Sequence, residues 1–138
     1  MRRGIVLLLS MVALFAVCFG GTSYTEDGES IELAKVLYAC AKTESYDTKL
    51  ALGTVVMNRV ADSRFPDTLS ENLSDQMQFP AGTRYDEESL AAAQEVLGGT
   101  RTLSASLVYY RAVDAGESWG TADAQVGGYL FYTRQEVR

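Results

Sequence analysis

Two side chains four residues apart hold most of the chemistry that this sequence offers. Cys40 and Glu44 fall in Tyr38-Ala39-Cys40-Ala41-Lys42-Thr43-Glu44-Ser45, and Leu33, Val36, Leu37, Cys40 and Glu44 recur at three- and four-residue steps. That spacing puts a thiol and a carboxylate on the inward stripe of one helix, a turn apart. The chain contains no histidine, which excludes Cys-His and Ser-His-Asp nucleophilic relays. Cys18, the other cysteine, directly follows the apolar N-terminal run, so Cys40 stands alone in the rest of the chain. One cysteine and no histidine argue against a zinc site. No metal or cofactor is called for. The ordinary setting of a lone thiol is a small buried hydrophobe; an interchain disulfide and a reactive thiol are the alternatives, the last lacking a base to activate it. Whatever chemistry occurs must run on carboxylates such as Glu44, on amides, on hydroxyls or on Cys40 itself, the structural reading of Glu44 being to orient the helix end.

The elements that must position these groups begin after a targeting segment. Arg2 and Arg3 precede an apolar run from Ile5 to Val17, followed by Gly20, Gly21 and Ser23. This is the pattern of a secretory signal peptide over residues 1–21. It is short of the roughly 20 apolar residues that a spanning helix needs, and an uncleaved N-terminal membrane anchor is the alternative. Residues 22–29 read as a polar linker and 30–138 as a single domain with one modest core. The formal net charge is −6. So acidic a chain is a poor match for nucleic acid or anionic lipid.

Within the domain, Ser30 is a good N-cap for a first helix and Asp47 for a second that runs to about Ala61. Leu52, Val55, Val56 and Val60 line one face of that second helix, which is apolar enough to be central. Pro66 follows its end, residues 69–85 look irregular, and Phe79-Pro80-Ala81-Gly82 reads as a turn. Asp86-Glu87-Glu88 opens a third helix and Gly98-Gly99 closes it. Two runs rich in tyrosine and branched residues, 106–111 and 128–133, read as strands around a loop that carries Trp119, the only tryptophan. The expectation is an α+β domain of about three helices followed by a small antiparallel sheet.

Four blocks in order resemble the SleB-type (spore-cortex-lytic) cell-wall hydrolase family. The first is LAKVLYACAKTES, and the second, LALGTVVMNRVADSRFPDT, carries Asn58, Arg59, Phe65, Pro66 and Thr68 at the family's signature positions. The third ends in Gln78-Phe79, and the fourth pairs LVYY with VGGYLFY. The resemblance implies a lysozyme-like or lytic-transglycosylase-like fold. It implies cleavage of peptidoglycan between N-acetylmuramic acid and N-acetylglucosamine. By the same resemblance, Cys40 stands where the family has its catalytic glutamate, Lys42-Thr43 where it has arginine-glycine, and Tyr129 where it has a closing histidine. Glu44 falls on the family's second glutamate.

A thiol in the acid's place would impair catalysis. Its reference pKa is about 8.5 against about 4.3 for glutamic acid, and it is shorter. Losing general acid catalysis costs about 10²–10⁴ in rate. Gln78 could hold an acetamido group and Phe79 could stack on a sugar, with Tyr109, Tyr110, Trp119 and Tyr129 as further sugar-binding aromatics. Alternation along a strand sends some of these tyrosines to the core instead. Three readings follow. The first is an exported peptidoglycan glycosidase, weakened or rescued by Glu44, acting outside the cell or at the wall. The second is a non-catalytic module that binds glycan strands. The third is a Cys40-linked dimeric interaction protein, where the first two imply a monomer.

Overall fold

The computed structural model describes residues 27–116 and 119–135; the expected signal segment and residues 22–26 of the linker lie outside the described residues. Among the described residues, four helices precede three strands. They are α1 (Gly28–Ala41), α2 (Tyr46–Ala61), α3 (Leu69–Leu73), α4 (Glu87–Leu97), β1 (Tyr109–Ala112), β2 (Ala124–Val126) and β3 (Tyr129–Tyr132). The α+β architecture read from the sequence holds. Among the described residues, no helix is long and apolar enough to cross a membrane.

Each helix starts where a short polar side chain can take an orphan backbone N–H. Asp27 accepts from the Ser30 amide at 2.8 Å, so α1 begins ahead of Ser30, the cap expected from sequence. Ser45 accepts from the Thr48 amide at 3.3 Å and starts α2, displacing Asp47 from that role. Thr68 caps α3 through the Glu71 amide at 3.3 Å, a single turn inside a stretch expected to be irregular. Asp86 caps α4 through the Ser89 amide at 2.7 Å, and Gly98-Gly99 ends it, Gly99 taking a φ of +117°. Hydrogen bonds from Ser89 hold the Asp86 carboxyl below the usual carboxylate range.

Helix α4 packs across both α1 and α2. Its Ala92, Ala93 and Val96 are fully buried, as are Leu33 and Ala34 of α1 and Ala51 and Val55 of α2. Gly53 of α2 makes the close approach possible, since a Cβ there would stand 3.0 Å from a Val96 methyl. The sheet is antiparallel with order β1-β3-β2, so β3 is central. Tyr110 pairs with Phe131 and Ala112 with Tyr129 across β1 and β3, while Val126 pairs with Tyr129 across the β2–β3 hairpin. Strand β2 lies in what the sequence reads as a loop.

One cation ties sheet to helices. Arg59 of α2 is 2 % exposed, and its Nε donates to the Val108 carbonyl at 2.6 Å, its Nη1 to Asp75 at 3.2 Å and its Nη2 to Gln78 Oε1 at 3.0 Å. The guanidinium lies against the Phe65, Tyr109 and Phe79 rings at 4.6, 4.9 and 5.1 Å. Its donors and faces are thus occupied, which is the condition for burying a charge. Replacing Asp86 with Ala should remove the α4 cap and lower the unfolding free energy by about 1 kcal/mol. Chemical denaturation monitored by circular dichroism measures the change.

Candidate active site

Glu44 does not extend the stripe of α1. The helix stops at Ala41, the Glu44 amide donates to the Ala41 carbonyl at 3.0 Å, and Ser45 already caps α2. The acid therefore sits in a tight turn between two helices, a placement that helical periodicity misses because the next cap breaks it. Lys49, 1 % exposed, fixes that turn from below. Its ammonium donates to the Glu44 carbonyl at 2.9 Å and to Glu88 Oε1 of α4 at 3.1 Å.

The carboxylate meets the β2–β3 hairpin. The Gly128 amide donates to Glu44 Oε2 at 3.3 Å, and the Thr48 hydroxyl lies 3.5 Å from the same oxygen. Gly127 has a φ of +54°, as the first central residue of a type II′ hairpin requires. A Cβ on Gly127 would stand 2.5 Å from Glu44 Oε2, and one on Gly128 2.4 Å from Oε1. Two bare glycines thus let backbone come up against the acid. Glu44 borders an open groove of about 330 Å³ that is completed by Ala112, Val113, Asp114, Gly128 and Tyr129.

Cys40 is not among the groove's lining residues. Its Sγ lies 3.4 Å from the Tyr110 hydroxyl, and its carbonyl accepts from the Tyr129 hydroxyl. Burial pushes the thiol up, the Tyr110 contact partly opposing it. Tyr129 and Tyr110 meet edge to face at 5.5 Å. Burial first, then the charges of Cys40, Glu44 and Asp114, push the Tyr129 phenol up to about 12. Burial and Cys40 push Tyr110 up as well.

The residues proposed from sequence to bind sugar are largely spent on structure. Phe79 is 1 % exposed, packed on Tyr110 at 5.8 Å and under Arg59, so it cannot stack on a glycan; that expectation is corrected. Tyr110 is buried too, its hydroxyl donating to the Gln78 carbonyl. The Gln78 amide donates to the Tyr110 carbonyl at 2.9 Å and accepts from Arg59, which uses both ends of the group assigned to an acetamide. Tyr109 is half-buried against Phe65 and Arg59. Trp119 packs on Tyr132 at 5.3 Å, with Arg111 5.9 Å from its ring. Of the six, Tyr129 alone lines the groove beside Glu44. Thr48, Lys49, Asp114, Gly127 and Gly128 escaped the sequence reading. A lysine on the apolar stripe of α2, three residues before Leu52 and seven before Val56, was the available signal for Lys49.

A helical layer and a three-stranded antiparallel sheet thus make an α+β domain with an open groove and an acid at their junction. A family model described as cell wall hydrolase matches residues 43–132, and the chain belongs to that family. The match starts one residue before Glu44 and leaves Cys40 outside. The fold is similar to the catalytic domain of the germination-specific lytic transglycosylase SleB from Bacillus anthracis, with a TM-score of 0.68 at 20% identity, covering 80% of this chain and 97% of that one. It is similar also to the SleB catalytic domain of Bacillus cereus, with a TM-score of 0.60 at 21% identity and coverage of 78% and 92%. No curated protein sequence matches significantly.

Because folding raises the Tyr129 phenol above the ordinary value of about 10, its contribution to stability is complete below pH 10 and is lost as pH rises towards 12. Tyr110 acts in the same direction. Absorbance titration at alkaline pH should therefore show tyrosines ionising late, together with unfolding, and Tyr129→Phe should remove one of them. Gly128→Ala should displace the Glu44 carboxylate while the chain still folds, which a crystal structure of the variant would reveal.

Proposed function

We propose that this chain is an exported peptidoglycan glycosidase that cuts between N-acetylmuramic acid and N-acetylglucosamine, with Glu44 as its general acid. The observation that carries the reading is the Glu44 carboxylate at the groove wall, held by the Gly128 amide. The family membership and the SleB-like fold support the substrate class. Glycosidic cleavage needs a positioned proton donor as oxocarbenium character develops. Glu44 gives its proton to the bridging oxygen and the bond to the anomeric carbon breaks. The muramic sugar's own hydroxyl then attacks that carbon and returns a proton to the ionised Glu44. One carboxylate serves both steps. Lys49, bonded to the Glu44 carbonyl, keeps the turn from shifting the acid as charge builds.

On this reading Cys40 is structural. Its sulfur turned against Tyr110 supports packing over either acid chemistry or an interchain disulfide, and a monomer over a Cys40-linked dimer. Impaired turnover, expected if the thiol had replaced the acid, is then not required. Export rests on the N-terminal segment, and action outside the cell or at the wall follows from the substrate.

Glu44→Gln should lower the rate of peptidoglycan solubilisation by about 10²–10⁴, while Cys40→Ala stays within a few-fold of the natural chain. The release of soluble muropeptides from purified walls measures both. Equal activity of Glu44→Gln and the natural chain would remove Glu44 from the chemistry. Cosedimentation with walls and no turnover would instead make the protein a glycan-binding module.

A further inference from the structure

We infer that a second compartment of the groove, built around Arg111, is a subsite for a carboxylate carried on the glycan strand; the inference rests on the reading of the groove as a peptidoglycan site. Beyond Val113 and Asp114, which line both compartments, lies a larger open cavity of about 420 Å³ whose wall includes Arg111, Leu130 and Tyr132. The protein's formal net charge is −6, and the two buried cations among the described residues are matched to acids, Lys49 to Glu88 and Arg59 to Asp75. Arg111 has no carboxylate partner among the described residues. It is placed by aromatic contact instead, 5.9 Å from the Trp119 ring, which packs in turn on Tyr132 at 5.3 Å.

A guanidinium held beside an aromatic ring and paired to no carboxylate keeps its fork of donors available, and that fork matches a carboxylate in bidentate geometry. Strand pairing of Arg111 with Leu130 fixes the backbone from which it projects. Asp114 borders both compartments, whereas Glu44 borders only the smaller one and Arg111 only the larger. An anion on the strand therefore favours the Arg111 end. In peptidoglycan a carboxylate is carried by the peptide stem where one is attached, and by the muramic sugar's lactyl group where none is. A neutral chitin-like chain carries neither, so Arg111 would tell muramic strands from plain N-acetylglucosamine polymers.

The test measures affinity with the full mature chain carrying Glu44→Gln to stop turnover. Three probes are used: peptide-bearing strands, peptide-free strands with lactyl carboxylates, and peptide-free strands whose carboxylates are capped as methylamides. Arg111→Ala should weaken binding of a carboxylate-bearing strand by about tenfold, leave the capped strands unchanged, and Arg111→Lys should recover part of the loss. Loss on the peptide-free uncapped strands alone assigns the lactyl carboxylate, loss on the peptide-bearing probe alone assigns the stem, and loss on both assigns a site that takes either. Added salt should weaken the parent chain's binding to uncapped strands only, a readout that stands even if Arg111→Ala misfolds. Equal effects on capped and uncapped strands, or none, would overturn the subsite while leaving a glycan site intact. No binding to any probe would overturn the peptidoglycan reading together with it.

Discussion

Burying Arg59 is the constraint around which the rest of the molecule is arranged. An unpaired guanidinium in a domain interior would cost several kcal/mol, so the chain supplies a carbonyl, a carboxylate, an amide oxygen and three aromatic rings from three separate segments. Those segments are the Phe65 turn, the loop of Asp75 to Phe79, and the start of the sheet. Burial alone would push the guanidinium down, and the hydrogen bond and charge of Asp75 push it back up. Satisfying one charge thereby sets the sheet on the helices and aims β1 and β3 towards the far end of α2.

At that far end the same logic recurs on a smaller scale. Lys49 is buried and needs acceptors, and the nearest are the Glu44 carbonyl and Glu88. The lysine thus joins the turn between α1 and α2 to α4, while the glycine hairpin approaches from the sheet. Glu44 is held by Thr48 and Lys49 of α2 and by Gly128 of the hairpin, with Glu88 of α4 bound to the same lysine. Its position is a property of the whole fold. The groove it faces is open because the hairpin contributes backbone there and no side chain.

Much of the fold was legible in the sequence because apolar periodicity and capping residues are local. Asp86 and Gly98-Gly99 bracket α4 as their chemistry dictates. Where several cap residues compete, the sequence cannot choose: Asp27 prevails over Ser30, and Ser45 over Asp47, because each earlier residue adds helical hydrogen bonds that the later cap would forgo. Helix α3 and strand β2 are too short, at five and three residues, to show a period. The site was half legible. Glu44 stood out by type and spacing, yet its place in a turn depends on the Ser45 cap. Phe79 and Gln78 looked like sugar ligands because a sequence does not reveal that a buried arginine will claim both. Cys40 drew attention by its position in the motif, whereas the packing of Tyr110 and Tyr129 around it is a tertiary matter.

The turn that carries Glu44 is braced by two helices, a third through Lys49 and Glu88, and a hairpin whose partner residue lies 84 positions away. Many catalytic groups ride on mobile loops that open at little free-energy cost, well before the domain melts. The Glu44 turn is tied to α2, to α4 through Lys49 and to the hairpin at once. Releasing the carboxylate requires those contacts to part together, so its position is tied to the integrity of the whole domain.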